Sequence, residues 1–501
     1  MTTRQCVSIP LPAYLRDHVV DGQSVLPAAE ALQWLASEVK RHFPVLDVSR
    51  TSDARFLRLL PLSTKPGTVA GSLDALIELS PLTEDGIYAS LLTKQQTKVG
   101  LHRTREHVSV CFGKAQPNSS LPIDDAWCLE GVCTVIPKTL LYGEMVPFGP
   151  SFHNVLDPIR FSRSGATAWL QAPELGPVTA TAQTGSAFVF DAALHLACGW
   201  SQYDSGIVTF PTGYTSRQII NPTQPGEHYC CTVMPKGHAT GRFLFDILIL
   251  DRNGNIRESA REVMMQDIFH GRLRAPMDLK LVGREFEEQL TALCSTTAIV
   301  EIAALSPAAA KVLSPLEQER SKTMVEKRRT AFCAGRAALR IAARRFMEAH
   351  GLPLSANLEI GSYDTGAPWV RWPLMPESCY YAVSHDSRFA VALFDERPVG
   401  IDVEQLRDTV YHHRKRFLSE QERSAVESSG LDPDQSALRA WSIKEAAVKM
   451  FLQPLGTIWN SLTIRTIDSK ESSFEYNGKF WKAQHTDFDD HVVTVIKSPA
   501  T

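Results

Sequence analysis

Hydrophobic and polar positions change their period near the middle of the chain. Up to about residue 285, short stretches rich in β-branched and aromatic residues alternate with Gly, Pro and Asn, a pattern typical of antiparallel strands. Helical periodicity is rare here. It is found in 27–41, where Leu32, Leu35 and Val39 share a face, and in 192–200. The pattern predicts a curved antiparallel sheet wrapped on one or two helices. The predicted strands are 55–61, 86–92, 107–112, 166–170, 228–234, 242–251 and 259–268.

From about residue 295, strands and long helices are mixed. A strand over 297–305 precedes a helix predicted over 316–350 and closed by Gly351. Further strands are predicted over 380–383, 389–394 and 400–404, and further helices over 419–428 and 438–451. We predict an α+β protein with domains over 1–285 and 295–501 and a boundary in the weakly patterned stretch 280–295.

Composition and charge narrow the class of protein. Hydrophobic residues make up 44% and charged residues 21% of 501 residues, an ordinary globular mixture. The 52 basic and 55 acidic residues leave a net charge of −3, which offers no general attraction for nucleic acid or an anionic membrane. Ten cysteines without a C-x-x-C pair indicate neither a disulfide framework nor a zinc site, and no apolar run is long enough to span a bilayer. We therefore expect a soluble, cytoplasmic protein.

Acidic and basic residues recur at chemically useful spacings in the second half. Asp402 and Glu404 lie two apart in a predicted strand and so point to one face. Such a pair suits a divalent cation such as Mg2+, although a solvent-facing edge with two acids gives the same pattern. Glu445 and Lys449 share a helix face with Trp441. A third acid and a cation there suit a metal-bound, phosphate-bearing substrate, whereas the pair by itself is usually a surface ion pair.

A cluster of basic residues occupies the long helix upstream. It contains Lys327, Arg328, Arg329, Arg336 and Arg340 within about four turns. Such crowding of positive charge destabilises a free helix and can indicate a bound anion, but a solvated basic face is the alternative.

These segments together resemble the 4'-phosphopantetheinyl transferases, which transfer the phosphopantetheine arm of coenzyme A to a serine of a carrier protein. The shared motifs are LSPLE at 313–317, RR…F…GR…LR at 328–340, G-x-P at 366–368, SH at 384–385, GIDVE at 400–404, F-x-x-E-x-E at 417–422 and W-x-x-K-E-A-x-x-K at 441–449. The region that carries these motifs is as long as the surfactin-synthetase-activating type of this family. The resemblance implies a two-lobed, pseudo-symmetric α+β domain.

The resemblance also implies roles for individual residues. It makes Asp402, Glu404 and Glu445 the Mg2+ ligands. It assigns the phosphates of coenzyme A to His385, Lys444, Lys449 and one or both of Arg329 and Arg336. Either Glu445 or a metal-bound water would take the proton of the carrier serine, and the sequence does not choose between them.

A histidine precedes the first helix in the pattern H-x-x-x-G-x-x-x-x-P, formed by His18, Gly22 and Pro27. By itself it would be an ordinary structural histidine. Two further segments change this interpretation: LYGEMVPFGPSFHNV at 141–155 and FDAALHLACGW at 190–200. The three segments resemble the dehydratases of polyketide and fatty acid synthases. That resemblance implies a double hotdog fold, with two sheets each wrapped around a long helix and one catalytic residue from each half.

Dehydration of a β-hydroxyacyl thioester requires a base for the α-proton and an acid for the departing hydroxyl. The resemblance makes His18 the base and Asp191 the acid, steered by His195 four residues later. An acid must hold a proton, so we expect a raised pKa for Asp191. The Gly22 N–H and the start of the helix at Pro27 are candidate donors to the thioester carbonyl. The acyl tunnel is expected to be shaped by Tyr142, Gly149, Pro150 and Phe152.

The sequence thus predicts a bifunctional enzyme of polyketide or fatty acid assembly acting on an acyl carrier protein. This domain order resembles the carboxyl end of enediyne-type iterative polyketide synthases. Two alternatives stay open: a transferase with an inert, dehydratase-like domain that docks carriers, and a carrier-binding scaffold with neither activity. A homodimer formed through the hotdog domain is also left open.

Overall fold

The computed structural model describes residues 2–62, 71–82, 86–96, 102–113, 128–175, 183–239, 241–276, 283–354, 358–363 and 366–499. The chain divides into two compact units. The first comprises Met1–Trp127, Thr134–Leu281 and Ser306–Ala308, and the second comprises Cys128–Cys133, Val282–Leu305 and Ala309–Thr501. Of the predicted boundary stretch, 280–282 lies outside the described residues, and the remainder carries a helix of the second unit.

The strands of the first half of the chain are β1 Thr3–Pro10, β2 Val19–Val20, β3 Gln23–Ser24, β4 Arg50–Phe56, β5 Ser72–Pro81, β6 Ile87–Gln96, β7 His102–Phe112, β8 Cys128–Glu130, β9 Thr134–Ile136, β10 Val155–Ser162, β11 Gly165–Gln171, β12 Phe210–Ile219, β13 His228–Ala239, β14 Arg242–Leu250 and β15 Ile256–Gln266. The helices are α1 Ala28–His42, α2 Lys138–Leu140 and α3 Ala187–Ser205. Twelve of these strands form one antiparallel sheet in the order β1-β5-β6-β7-β4-β12-β15-β14-β13-β11-β10-β9.

Each half of this sheet packs on one long helix. Helix α1 lies on β5, β6 and β7, whereas α3 lies on β10 to β14, and the two helices contact each other. Helix α1 buries an apolar stripe, while α3 is buried on nearly every side because it is apolar all round. Helix α3 ends at Gly206, whose left-handed conformation (φ 71°) favours glycine. Two sheet halves, each wrapped on a long helix, confirm the double hotdog expectation for this unit.

The second unit has its own strands and helices. Besides β8, its strands are β16 Ala298–Leu305, β17 Glu359–Ser362, β18 Pro368–Arg371, β19 Tyr380–His385, β20 Phe389–Asp395, β21 Val399–Gln405, β22 Leu462–Thr466, β23 Glu471–Tyr476, β24 Lys479–Phe488 and β25 His491–Lys497. Its helices are α4 Arg284–Leu293, α5 Pro315–Lys322, α6 Glu326–Ala349, α7 Val410–His413, α8 Glu420–Glu427, α9 Pro433–Phe451 and α10 Leu455–Ser461.

Two sheets and two long helices make the second unit two-lobed. In one lobe, α6 packs on the sheet β19-β20-β16-β8. In the other, α9 packs on β21 and β25 of the sheet β21-β25-β24-β23-β22. The side-by-side contact of β19 with β21 joins the lobes. The α+β class and the two-lobed arrangement expected from the sequence are confirmed.

Three sequence predictions of local structure need correction. The single helix predicted over 316–350 is two helices, because Val325 is extended (φ −63°, ψ 150°) and separates α5 from α6. The strand predicted over 55–61 is β4 at Arg50–Phe56. The short strand β8 was not predicted, and it pairs with β16 of the second unit.

Membrane-spanning segments were also sought. Among the residues that the structure describes, no helix combines the length and the apolar character needed to cross a bilayer.

Candidate functional site

A tight hairpin fixes His18 in the first unit. The hairpin β2–β3 turns through Asp21 and Gly22, both with positive φ (50° and 76°), as a two-residue antiparallel turn requires. The His18 carbonyl accepts the Val25 N–H at 3.0 Å, and the ring Nδ1 lies 3.0 Å from the Val25 carbonyl oxygen. Because a carbonyl can only accept, Nδ1 carries the proton and Nε2 presents its lone pair.

Asp191 and His195 face this nitrogen from α3. Their four-residue spacing places both on one side of the helix. His18 Nε2 lies 4.0 Å from Asp191 Oδ1, and His195 Nε2 lies 2.9 Å from Asp191 Oδ2. All three side chains are buried. The structure therefore brings together the three residues that the sequence singled out, one from the first half of the unit and two from the second.

The charge state of Asp191 differs from the sequence expectation. Burial raises the pKa of Asp191, but the neighbouring imidazoles of His195 and His18 outweigh burial and hold its pKa below the usual value. The expectation of a raised pKa is therefore wrong for the free unit, because two imidazoles flank the carboxylate. Burial lowers the pKa of His18, which keeps that ring neutral and able to accept a proton.

The segment 141–155 packs against His18 through the neighbouring Asp17. The Asp17 carbonyl accepts the Gly149 N–H at 2.7 Å, and its carboxylate accepts the Ser151 N–H at 2.9 Å. A Cβ on Gly149 would overlap the Asp17 side chain, so this approach needs glycine. The Phe148 ring is consequently held 4.3 Å from the His18 ring and 4.8 Å from the His195 ring.

A cavity of about 680 Å³ opens beside the three polar residues. Its walls are mainly apolar and include Leu26, Phe56, Val108, Val146, Leu194 and Phe210. From the segment 141–155, Met145 to Phe148 line the cavity. Tyr142, Gly149, Pro150 and Phe152 are not among its lining residues, which corrects the tunnel expectation. Tyr142 instead lies behind His195, with its hydroxyl 3.4 Å from Nδ1.

A second buried acid, Glu30, lies near Asp191 and was not predicted from the sequence. Glu30 of α1 is 3% exposed and accepts a hydrogen bond from the Tyr14 hydroxyl at 2.5 Å. Burial, supplemented by the negative charge of Asp191, raises the pKa of Glu30 to about 7 although the Tyr14 hydrogen bond lowers it. The sequence contains one signal that could have indicated Glu30: it is an acidic residue among the alanines at the start of the apolar face of helix α1.

Glu30→Gln is expected to flatten the pH dependence of unfolding. An unfolded glutamate ionises near 4.5, whereas folded Glu30 keeps its proton up to about 7. Between these pH values the unfolded chain has released a proton that the folded chain retains, so the free energy of unfolding falls as pH rises. Glutamine accepts the same Tyr14 hydrogen bond and cannot ionise. At pH 8 the variant should be more stable by on the order of 2 kcal/mol.

Denaturant unfolding at several pH values between 5 and 8 measures this effect. Glu38→Gln is the matched control on α1, because Glu38 already has the cation Arg41 as a partner at 2.6 Å. A Glu30→Gln profile parallel to that of the unaltered protein would contradict the assignment.

In the second unit, a close approach of α9 to β21 brings acids from both elements together. Gly400 of β21 lies directly under α9, and a Cβ there would overlap the Ala446 carbonyl oxygen. This contact explains the glycine of the GIDVE motif. The same contact places Glu445 and Lys449 of α9 beside Asp402 of β21. This arrangement agrees with the prediction that Glu445 and Lys449 share one face of a helix.

Asp402 is the central acid of this group. It is 2% exposed, and its Oδ1 accepts hydrogen bonds from Lys449 Nζ at 2.7 Å and Ser384 Oγ at 2.9 Å. Its Oδ2 is buried and has no hydrogen-bond partner among the described residues. Glu404 Oε1 accepts the Trp441 indole N–H at 3.0 Å. Burial and the charge of Asp402 raise the pKa of Glu404 to about 7 and also raise that of Glu445. The mutual repulsion and the unpartnered oxygen fit a cation.

Basic side chains line a cavity of about 290 Å³ next to these acids. Arg336, His385 and Lys449 are among its lining residues. Burial, with the nearby charges of Lys449 and Arg336, lowers the pKa of His385. Arg336 is itself anchored by Glu317 at 2.5 Å. Arg336 and Lys449 therefore give this wall positive charge, and the neutral His385 ring adds a hydrogen-bonding group, which together suit phosphate.

Two predicted phosphate ligands lie elsewhere. Arg329 is not among the lining residues of this cavity and pairs with Glu326 on α6. Lys444 is fully buried, and its Nζ donates to the Phe417 carbonyl at 2.7 Å and to Glu422 at 2.9 Å. A buried ammonium with these partners is not available to a ligand phosphate, so the expectation for Lys444 is corrected to a structural role.

Two family models match the second unit. Residues 316–395 match the 4'-phosphopantetheinyl transferase N-terminal domain, and residues 398–496 match the 4'-phosphopantetheinyl transferase superfamily. The second unit is thus similar to both domains of the 4'-phosphopantetheinyl transferases.

Curated proteins similar to part of this chain are 4'-phosphopantetheinyl transferases. A 4'-phosphopantetheinyl transferase of Bacillus subtilis is 30% identical over 131 residues, which are 26% of this chain and 56% of that protein. The 4'-phosphopantetheinyl transferase Sfp of Bacillus subtilis (strain 168) is 26% identical over 121 residues, 24% of this chain and 53% of Sfp. The chain therefore spans about half the length of the curated relatives it matches.

Solved structures similar to this chain are dehydratase domains. The dehydratase domain of the polyketide PpsC from Mycobacterium tuberculosis has 15% identity and a TM-score of 0.41, covering 53% of this chain and 92% of that one. A trans-AT PKS dehydratase domain from Brevibacillus brevis has 18% identity and a TM-score of 0.43, covering 53% and 94%.

Proposed function

We propose that the second unit transfers 4'-phosphopantetheine from coenzyme A to a serine of an acyl carrier protein. The observation that carries this proposal is Asp402, a buried acid with an unpartnered Oδ2 that lies beside Glu404 and Glu445 and contacts Lys449 of the cavity wall. The family models matched by residues 316–496 support the same reaction class. The carrier would belong to a polyketide or fatty acid synthase, because the neighbouring unit has the double hotdog architecture.

Asp402, Glu404 and Glu445 would hold Mg2+. Burial and the charge of Asp402 raise the pKa of Glu404 and of Glu445, which favours a compensating positive charge, and carboxylate oxygens are the ligands that Mg2+ uses. Bound there, the cation would neutralise charge on the pyrophosphate of coenzyme A. Arg336, His385 and Lys449 would bind the coenzyme A phosphates.

Transfer forms a bond between the carrier serine oxygen and the phosphorus of the pantetheine phosphate. The bond from that phosphorus to 3',5'-ADP breaks, and the serine hydroxyl loses its proton. Glu445, which lies beside Asp402, is the protein group proposed to accept this proton. Lys449 stabilises the charge that develops on the departing phosphate.

The test is the intact mass of an apo acyl carrier protein after incubation with this protein, coenzyme A and Mg2+. A gain of one phosphopantetheine arm, absent when EDTA replaces Mg2+, supports the proposal. Carriers from polyketide and fatty acid synthases should be compared. If none gains mass while the Bacillus subtilis transferase Sfp modifies each of them, the proposal fails.

A second activity, dehydration of a β-hydroxyacyl group on the carrier, is proposed for the first unit. It is favoured by the neutral His18 ring, whose Nε2 lone pair faces a mainly apolar cavity. His18 would remove the α-proton of the thioester. Asp191 would give a proton to the departing hydroxyl, and it would take up that proton when substrate binds, because its pKa is held low in the free unit. His195 would orient Asp191.

The alternative is an inert unit that only docks carriers, and His18→Ala distinguishes the two. Removal of a general base is expected to lower dehydration of a β-hydroxyacyl carrier roughly 10²- to 10³-fold. Mass spectrometry of the carrier-bound acyl group measures the loss of water. His42→Ala is the control, because His42 ends α1 away from the cavity lining. Absence of dehydration by the unaltered protein on several chain lengths would favour the inert alternative.

A further inference from the structure

His18, Asp191 and His195 have the geometry of a metal site. One ligand atom from each, a ring nitrogen or a carboxylate oxygen, lies within 4.8 Å of the other two. Among the residues that the structure describes, this is the one group of three or more His, Cys, Asp and Glu side chains with such spacing. All three residues are buried, so their positions are set by packing.

The ring orientations favour metal binding. The outer nitrogen of His18, Nδ1, is held by the Val25 carbonyl at 3.0 Å, and that of His195 lies 3.4 Å from the Tyr142 hydroxyl. In a metal-binding histidine, the ring nitrogen that does not bind the metal typically donates its N–H to such an oxygen. This hydrogen bond turns the lone pair of the other nitrogen toward the ion. The inner atoms, His195 Nε2 and Asp191 Oδ2, are buried and make no hydrogen bond of good geometry although 2.9 Å separates them.

The surroundings supply an entry path and an open coordination position. The cavity of about 680 Å³ reaches all three side chains, so a fourth ligand can approach from it. Phe148 lines the cavity next to the two histidines, with its ring 4.3 Å from His18 and 4.8 Å from His195.

We propose that His18, Asp191 and His195 form a binding site for a first-row divalent cation, and that Zn2+ is the ion that fits best. Two imidazoles and one carboxylate with a fourth position open is a ligand set that Zn2+ uses. Mg2+ and Ca2+ prefer all-oxygen ligands, so this site differs in selectivity from the carboxylates of the second unit.

Occupation of the site opposes the dehydration proposed above. The ion takes the Nε2 lone pair that His18 needs to accept a proton. Zn2+ should therefore inhibit dehydration, and a chelator should restore it. This regulatory consequence rests on the proposed dehydration, whereas ion binding itself does not.

The experiment titrates Co2+, a coloured substitute for Zn2+, into the metal-free full chain in the presence of excess Mg2+. Excess Mg2+ occupies the carboxylates of the second unit. We expect one equivalent of Co2+ to give the strong visible bands of a four-coordinate ion, and Zn2+ to bleach them. Asp191→Ala and His195→Ala should weaken Co2+ binding by at least about 100-fold. Loss of a residue that only supports a metal ligand weakens binding by about 100-fold at most, so a larger loss identifies a ligand.

His238→Ala is the matched control, because His238 is an exposed histidine of the same unit. His195→Gln, which keeps a polar side chain of similar length, guards against misfolding, and circular dichroism checks each variant. Bands that persist in the Asp191 and His195 variants, or no binding of either ion, would overturn the proposal. Ion binding without any dehydration would uphold the site and refute only the dehydratase.

Discussion

Asp402→Asn is expected to lower phosphopantetheine transfer about 10³-fold, equivalent to about 4 kcal/mol of transition-state stabilisation. Asparagine keeps the shape of the side chain and can still accept the hydrogen bond from Ser384. It removes the negative charge that the unpartnered Oδ2 presents and the charge that Lys449 contacts. The loss should therefore affect Mg2+ binding and kcat more than the fold.

Mass spectrometry of the carrier measures transfer, and titration with Mg2+ at saturating coenzyme A separates weaker cation binding from slower chemistry. Asp408→Asn is the matched control, since Asp408 is an exposed acid just beyond β21. Full activity of Asp402→Asn at ordinary Mg2+ concentrations would remove Asp402 from the cation site.

The sequence correctly predicted those elements whose apolar and polar residues alternate with the period of a strand or a helix. The alternation around Asp402 and Glu404 and the repeating face of α9 depend on neighbours two to four residues away. Strand β8 has three residues and exists because Glu130 pairs with Val300, far along the chain. Strands β22 to β25 were not predicted either, although each pairs with the next strand along the chain. Strand β25 is buried along almost its whole length, so it lacks the alternation of apolar and polar residues that marks a half-buried strand.

The candidate sites divide in the same way. Spacing along one element found Asp191 with His195 and Glu445 with Lys449. The pKa of Asp191 is raised by burial but lowered by His195 on the same helix and, to a smaller extent, by His18, so an expectation based on burial alone had the wrong direction. Glu30 was missed because its effect depends on burial and on Tyr14.

The resemblance assigned Lys444 to the phosphates of coenzyme A, whereas the structure buries Lys444 completely. Adjacent residues on a helix point about 100° apart, so Lys444 points into the interior while Glu445 lies beside Asp402. The interior partner is Glu422, the N3 residue of the α8 capping box. Its carboxylate accepts the Ser419 N–H and the Ile464 N–H as well as the ammonium of Lys444. This pair thus joins α8, α9 and β22.

Lys444→Met is expected to lower the free energy of unfolding of the second unit by about 3–5 kcal/mol, because it leaves the Glu422 carboxylate buried without a cation. The double variant Lys444→Met with Glu422→Gln removes both charges and should recover most of this loss, since the glutamine oxygen can still accept a backbone N–H. Denaturant unfolding of all four members of the cycle measures the coupling. If Lys444 bound coenzyme A instead, the double variant would regain stability but show a raised KM for coenzyme A; an unchanged KM upholds the structural role.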